Sequence, residues 1–494
     1  MKSLNLFKVM VLLLGLVSSF GYVYAQESPF YQLKSDSLVE DSIKEMSIDQ
    51  FFDLVKTHHP VAQQAQLVID QADARVLEAR GGFDPKFFSD YANKSFDEKN
   101  YFRLFDVGVK IPTWFGPELK GGFEQGTGDF INPQNLTPDS GLWYAGITVP
   151  VGQGLFIDKR RAQLRSGKIF RESSEFQKTN ILNELLLDAG ETYWKWTEAY
   201  GKLQIIDNAL TLAVQRFNAV KQSTRLGDNS VIDTVEANVQ VQIRQVEQSQ
   251  ARLDYQNATA ELSVFLWLEG SIPLELDDDI VPKSHTDLYA KQVDENLIES
   301  FDTLMATHPI LEQGSLKIKD LAIERRLRKD QLKPVLNLTY TPIIEAVGSN
   351  TINQISQENV KFGLNFEMPL LLRKERGKLQ SASLKIKDAE LELINKSQSI
   401  YQKASITINE WKATFDQSVI FVEATSNYSR LYRAEQRKFE IGESSLFLVN
   451  SRENSFINAQ TKQLELVIKN RKTVLKANYA FGVLANYIQD SELN

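Results

Sequence analysis

"RLGDNSVIDTVEA" (225–237) and "EIGESSLFLVNSR" (440–452) carry the same order of glycine, acid, small polar residue and serine, each behind a long proline-free run. Gly227 and Gly442 lie 215 positions apart, as do Ser230 and Ser445. A glycine ending a helical run supplies left-handed backbone, and a serine three residues later caps a new helix. Each stretch therefore predicts the tip of a helical hairpin. From Arg161 to Gly227, and from Arg376 to Gly442, 66 steps pass without a proline. A continuous helix of that length is about 100 Å long. Leu185, Ala189, Tyr193, Trp196, Tyr200, Leu203, Leu210, Ala213 and Phe217 recur every three or four residues or at multiples of that step, an apolar stripe with polar flanks. No compact domain is that wide, so such helices pack side by side in a bundle or coiled coil.

Working outward, the echo extends to the whole chain. "THHPVAQQ" and "ATHPILEQ" place Pro60 and Pro309 at an offset of 249, and Pro85 and Pro334 keep it. Pro150 and Pro369 are 219 apart, and Arg161/Arg376, Leu164/Leu379 and Trp196/Trp411 settle at 215. An ordered series with one shift is an internal duplication carrying about thirty extra residues in the first copy. The predicted division is a signal peptide (1–25), an N-terminal extension (26–45), a first repeat (46–267), an equatorial linker (268–295), a second repeat (296–486) and a tail (487–494). Within the first repeat come a lead-in helix (47–82), strands (86–150), a long helix (160–226) and a return helix (230–267). The second has a lead-in helix (296–332), strands (335–368), a long helix (375–441) and a return helix (445–484). Each return helix is about half as long as its partner. A lead-in helix stacked end to end supplies the rest, expected as 230–267 with 296–332 and 445–484 with 47–82.

The strand regions alternate. In "NVKFGLNFEMP", Val360, Phe362, Leu364, Phe366 and Met368 fall on one side, with Lys361, Gly363, Asn365 and Glu367 on the other. "VLNLTYT" (335–341) and "LWYAGITV" (142–149) repeat the pattern. Period-two alternation over about nine residues suits a tilted membrane strand, and equally the half-buried strand of a soluble sheet. The extra residues hold "YFRLFDVGVKIP" (101–112) and "ELKGGFEQG" (118–126) around the turn "TWFGP". They read as two further strands that either widen a barrel or fold as an appendage.

At the amino terminus Lys2 and Lys8 flank an apolar run from Val9 to about Phe20, with Val23 and Ala25 before Gln26, the layout of a secretory signal. There is no cysteine, which excludes disulfides, thiolate metal sites and an acyl-cysteine anchor. The formal charge of −8 becomes −10 without Lys2 and Lys8, unlike a nucleic-acid-binding protein. The four histidines, His58, His59, His285 and His308, form no metal pattern, and His59 and His308 precede the paired prolines. No nucleophile elbow, P-loop or dinucleotide fingerprint is present. No enzyme activity is expected.

The order helix, strands, long helix, Gly-x-x-Ser turn and return helix, written twice with "HP" near each start, resembles the TolC-like outer-membrane efflux channels from about Met46 to Leu484. The resemblance implies an α+β membrane protein, mostly α: an internally duplicated, trimeric outer-membrane β-barrel continued by a long periplasmic α-helical (coiled-coil) barrel. It further implies four strands per protomer and twelve per barrel. The expected role is a passive exit channel of a tripartite efflux or type I secretion system in a Gram-negative-type envelope. Its partners would be two further copies, a periplasmic adaptor, an inner-membrane pump and outer-membrane lipid, with no cofactor, metal or nucleic acid. Family members narrow the periplasmic entrance with carboxylates six and nine residues after the second-copy glycine, where this chain has Leu448 and Ser451. Asp233 and Glu236 hold that spacing from Gly227, one helical turn apart, as an acidic entrance ring or as a helix-end pair. Arg225, Gly227, Ser230, Gly442 and Ser445 correspond to the adaptor-docking tips. A periplasmic coiled-coil scaffold without channel activity is the alternative.

Overall fold

Among the described residues the first elements are a two-residue strand, β1 (Glu45–Met46), and α1 (Ile48–His58), whose cap Ser47 accepts from the Gln50 amide at 3.2 Å. After α2 (Pro60–Gly81) come β2 (Lys86–Phe96), β3 (Lys99–Pro112), β4 (Glu118–Thr127) and β5 (Leu142–Pro150). The first helical hairpin is α3 (Lys159–Leu226) with α4 (Val231–Ser263). Short strands β6 (Trp267–Leu268), β7 (Ile272–Pro273) and β8 (Val281–Pro282) lead to the second copy. That copy has α5 (Glu295–Glu299), α6 (Phe301–Ala306), α7 (Pro309–Asp330), β9 (Val335–Glu345), β10 (Val360–Glu367), α8 (Arg373–Glu440) and α9 (Leu446–Ala480). This computed structural model describes residues 45–227, 230–276, 280–283, 289–345 and 359–486; the expected signal peptide, nearly all of the extension and the tail lie outside them.

Both long helices have 68 residues, about 100 Å of rise each. The duplicated tryptophans are both fully buried and bonded. Trp196 Nε1 donates to Thr259 Oγ1 at 3.0 Å, and Trp411 Nε1 donates to the Lys291 carbonyl at 2.7 Å. Around Trp196 the main core gathers Phe51, Phe52, Tyr193, Leu186, Leu262 and Leu475 at mid-height.

Three expectations are corrected. Each single lead-in helix is broken, because a residue before proline is pushed out of the helical region. His59 has ψ 133° and His308 ψ 127°, and each ring's Nδ1 accepts from the second amide beyond it, Val61 or Ile310, at 3.2 Å. The histidines are thus N-caps held as neutral imidazoles. In the second copy the preceding part is further split into α5 and α6.

The stacking is also the reverse of that expected. α2 and α4 lie along one side of α3, while α7 and α9 lie between α3 and α8. The His59 ring stacks on Phe265 just past α4, at 5.8 Å, and His308 bonds the Ala480 backbone at the end of α9. Each lead-in helix therefore continues the return helix of its own copy. Helix lengths could not decide this, since 22 residues join 33 or 35 in either arrangement. The return helices stop at Ser263 and Ala480, short of Trp267 and Leu484: a turn at Val264–Leu266 feeds β6, and Gly482 has φ 74°.

Among the described residues six strands form one antiparallel sheet in the order β10-β9-β5-β4-β3-β2. Both segments of the insertion are strands of this sheet, between β2 and β5. The helix row matches it laterally, since α2 leads into β2, β5 into α3, α7 into β9 and β10 into α8.

Candidate functional site

The sheet separates its two faces by chemistry. On one, register pairs Phe87 with Val109, Val107 with Phe123, Phe123 with Trp143, Ile147 with Tyr340, Tyr340 with Phe362 and Leu338 with Leu364. That band is apolar across all six strands and open to the surroundings, with Phe87, Phe362 and Leu364 at 73%, 69% and 62% exposure. Asn93, Arg103 and Thr127 form one paired row that ends it away from the helices. The other face carries Lys86, Asp90, Asp106, Lys120, Glu124, Asn337, Thr339, Thr341, Lys361 and Glu367. Lys361 on β10 pairs with Glu124 on β4, across β5 and β9. Side chains from strands three apart meet only on a concave surface, so the polar face lies inside the curl. No described helix is long and apolar enough to cross a membrane.

At the far end of the helices the tips are built as their sequence suggests, but their acids are occupied. Gly227 and Gly442 have φ 87° and 78°, the left-handed backbone that reverses the chain. Ser230 caps α4 in a reciprocal box: Ile232 N–H donates to its hydroxyl, and its own amide donates to Asp233 Oδ2 at 3.0 Å. Glu236 accepts from Asn450 Nδ2 at 3.1 Å. Both carboxylates are therefore engaged within one protomer. Ser445 caps α9, accepting from the Leu448 amide at 3.4 Å. Arg225, Leu448 and Ser451 are exposed. Leu226, Val231, Ile232, Ile441 and Phe447 surround the two turns, each at least 67% exposed.

Sequence reasoning missed the polar cluster behind these tips. Arg216 on α3 donates to both carboxylate oxygens of Glu453 on α9, at 2.6 and 2.7 Å. It also donates to Asn450 Oδ1 at 3.0 Å and to the Tyr432 hydroxyl on α8 at 2.8 Å. With Glu236, the network ties all four helices at the tip. Burial, with the nearby Glu453 charge, pushes the Tyr432 phenol up to about 12. Arg216 and Glu453 stand 237 positions apart, so no local sequence pattern pairs them. Among the described residues no group of His, Asp or Glu is arranged to hold a metal ion.

No protein-family model and no curated protein sequence matches the chain. Solved structures do. The CmeC outer-membrane channel of Campylobacter jejuni aligns over 90% of this chain and 88% of its own, with 14% identity and a TM-score of 0.61. VceC, an outer-membrane protein of Vibrio cholerae, aligns over 88% and 96%, with 12% identity and a TM-score of 0.59. MtrE, an outer-membrane channel of Neisseria gonorrhoeae captured in its open state, aligns over 88% and 89%, with 12% identity and a TM-score of 0.62. Over about nine-tenths of its length this chain has the fold of the TolC-like outer-membrane channels.

Proposed function

We propose that the protein is a passive outer-membrane exit channel whose copies close around a common axis. The observation that carries this reading is the sheet: apolar and exposed outside, charged inside, mounted on helices about 100 Å long. A soluble protein would leave that apolar band in water, where contiguous patches of such size are rare. Lipid accepts it, but lipid does not accept open strand edges, so each protomer needs neighbours. The helices point the same way. Along α8, Leu384, Leu391, Ile394 and Ile420 are exposed, and at the opposite margin Leu67, Leu77, Val246 and Leu253 are. Two different edges meeting head to tail close a ring, and the resemblance sets the number at three.

In this reading the helical tips form the periplasmic entrance. The exposed apolar residues around Arg225, Gly227, Ser230, Gly442 and Ser445 dock a periplasmic adaptor, which couples the duct to an inner-membrane pump. Asp233 and Glu236, beside Leu448 and Ser451, line the entrance. Replacing both acids by alanine should reduce cation selectivity in single-channel recordings; unchanged selectivity would leave them only their capping and bonding roles. The reading as a whole is tested by fractionation. The mature protein is expected in the outer membrane as a detergent-requiring trimer, and recovery as a soluble periplasmic monomer would refute it.

A further inference from the structure

Each of the four helix positions in a protomer leads to or from one strand, which leaves β3 and β4 as additions between β2 and β5. The additions are built into the wall. Phe88, Gly108, Gly122 and Tyr144 are consecutive register partners on the concave face. Lys120 of β4 lies 4.8 Å from the Phe88 ring on one side and 4.7 Å from the Tyr144 ring on the other. Tyr144 donates to Asp106 of β3 at 2.6 Å. Only glycine fits beneath the two rings: a Cβ on Gly108 would stand 2.9 Å from Phe88, and one on Gly122 would stand 2.6 Å from the Tyr144 hydroxyl. On the convex face Phe105, Val107, Val109 and Phe123 continue the apolar band without a gap.

The remaining edges are complementary. Among the described residues β2 pairs only with β3, and β10 only with β9. β2 runs away from the helices and β10 runs back toward them, so the two edges of neighbouring copies meet antiparallel, apolar face continuing apolar face. Width decides what this closure makes. At about 4.8 Å between strands and a tilt near 40°, six strands span about 38 Å of circumference. Four helices at about 8–10 Å spacing span about 32–40 Å.

We infer that β2 of one copy pairs with β10 of the next, so that three copies close a barrel of eighteen strands. Its backbone diameter is about 36 Å, against about 24 Å for twelve strands, and it matches the helical duct without a constriction. This rests on the channel reading. The test is a strand count by electron cryomicroscopy of the full mature protein in lipid nanodiscs, with disulfide trapping alongside. The chain has no cysteine, so pairs such as Phe87→Cys or Tyr91→Cys with Leu364→Cys or Phe366→Cys report cleanly. Eighteen strands, with at least one pair giving a reducible dimer and trimer ladder, are expected. A membrane-inserted trimer with twelve strands, and residues 99–127 outside the wall, would overturn the wide barrel and leave the channel reading intact. Failure to obtain any membrane-inserted oligomer would overturn both.

Discussion

His308 couples helix stacking to pH. Its Nδ1 accepts from the Ile310 amide, which needs the neutral ring, while the ring's hydrogen bond to the Ala480 backbone favours the protonated form and only partly offsets burial. Burial lowers its pKa from 6.5 to about 4. A depressed folded-state value means that the stabilisation is fully present above pH 6.5 and is lost as the pH falls toward 4. One pKa unit corresponds to about 1.4 kcal/mol, and the linkage relation gives a loss of about 2 kcal/mol between pH 7 and pH 5. Local opening of the α9–α7 junction should therefore rise roughly twentyfold over that interval. The assay is hydrogen exchange of the amides around 308–316 and 478–484 in the detergent-solubilised protein. His308→Asn keeps an acceptor at the N-cap and removes the titration. The variant should show a flat pH profile, and a profile as steep as that of the parent would refute the assignment.

Other outcomes follow from the same packing. Leu364→Arg puts a charge on the convex face and should destabilise the inserted protein by about 2–4 kcal/mol, whereas Asn365→Arg on the concave face should be tolerated; equal costs in urea unfolding from vesicles would reverse the assignment of faces. Glu453→Gln leaves the largely buried Arg216 without its carboxylate and should cost about 3 kcal/mol, near the lower end for breaking a buried pair. The loss should appear as faster exchange confined to the four tip segments, and unaltered tip protection would argue against the network as a clamp.

Much of this architecture can be read from residue order alone, because it is periodic. The two tips follow from Gly227–Ser230 and Gly442–Ser445, and the alternation of Val360–Met368 marks one apolar face. What could not be read depends on which distant segments meet. Lead-in helices of 22 residues fit either return helix, and the choice is made by His59 against Phe265 and His308 against Ala480. The fate of the insertion turned on cross-strand neighbours such as Gly108 and Gly122 beneath Phe88 and Tyr144, which no single segment displays. Asp233 and Glu236 share a helical face as expected, but their hydrogen bonds to the Ser230 amide and to Asn450 appear only in three dimensions.

The most direct test of an exit channel is ion conduction by the purified oligomer in planar lipid bilayers, recorded for the wild type and for Glu453→Gln with its loosened tip. Discrete steps are expected, larger or more frequently open in the variant. Bilayers that stay silent with both proteins, although each has inserted, would contradict a continuous duct through the molecule.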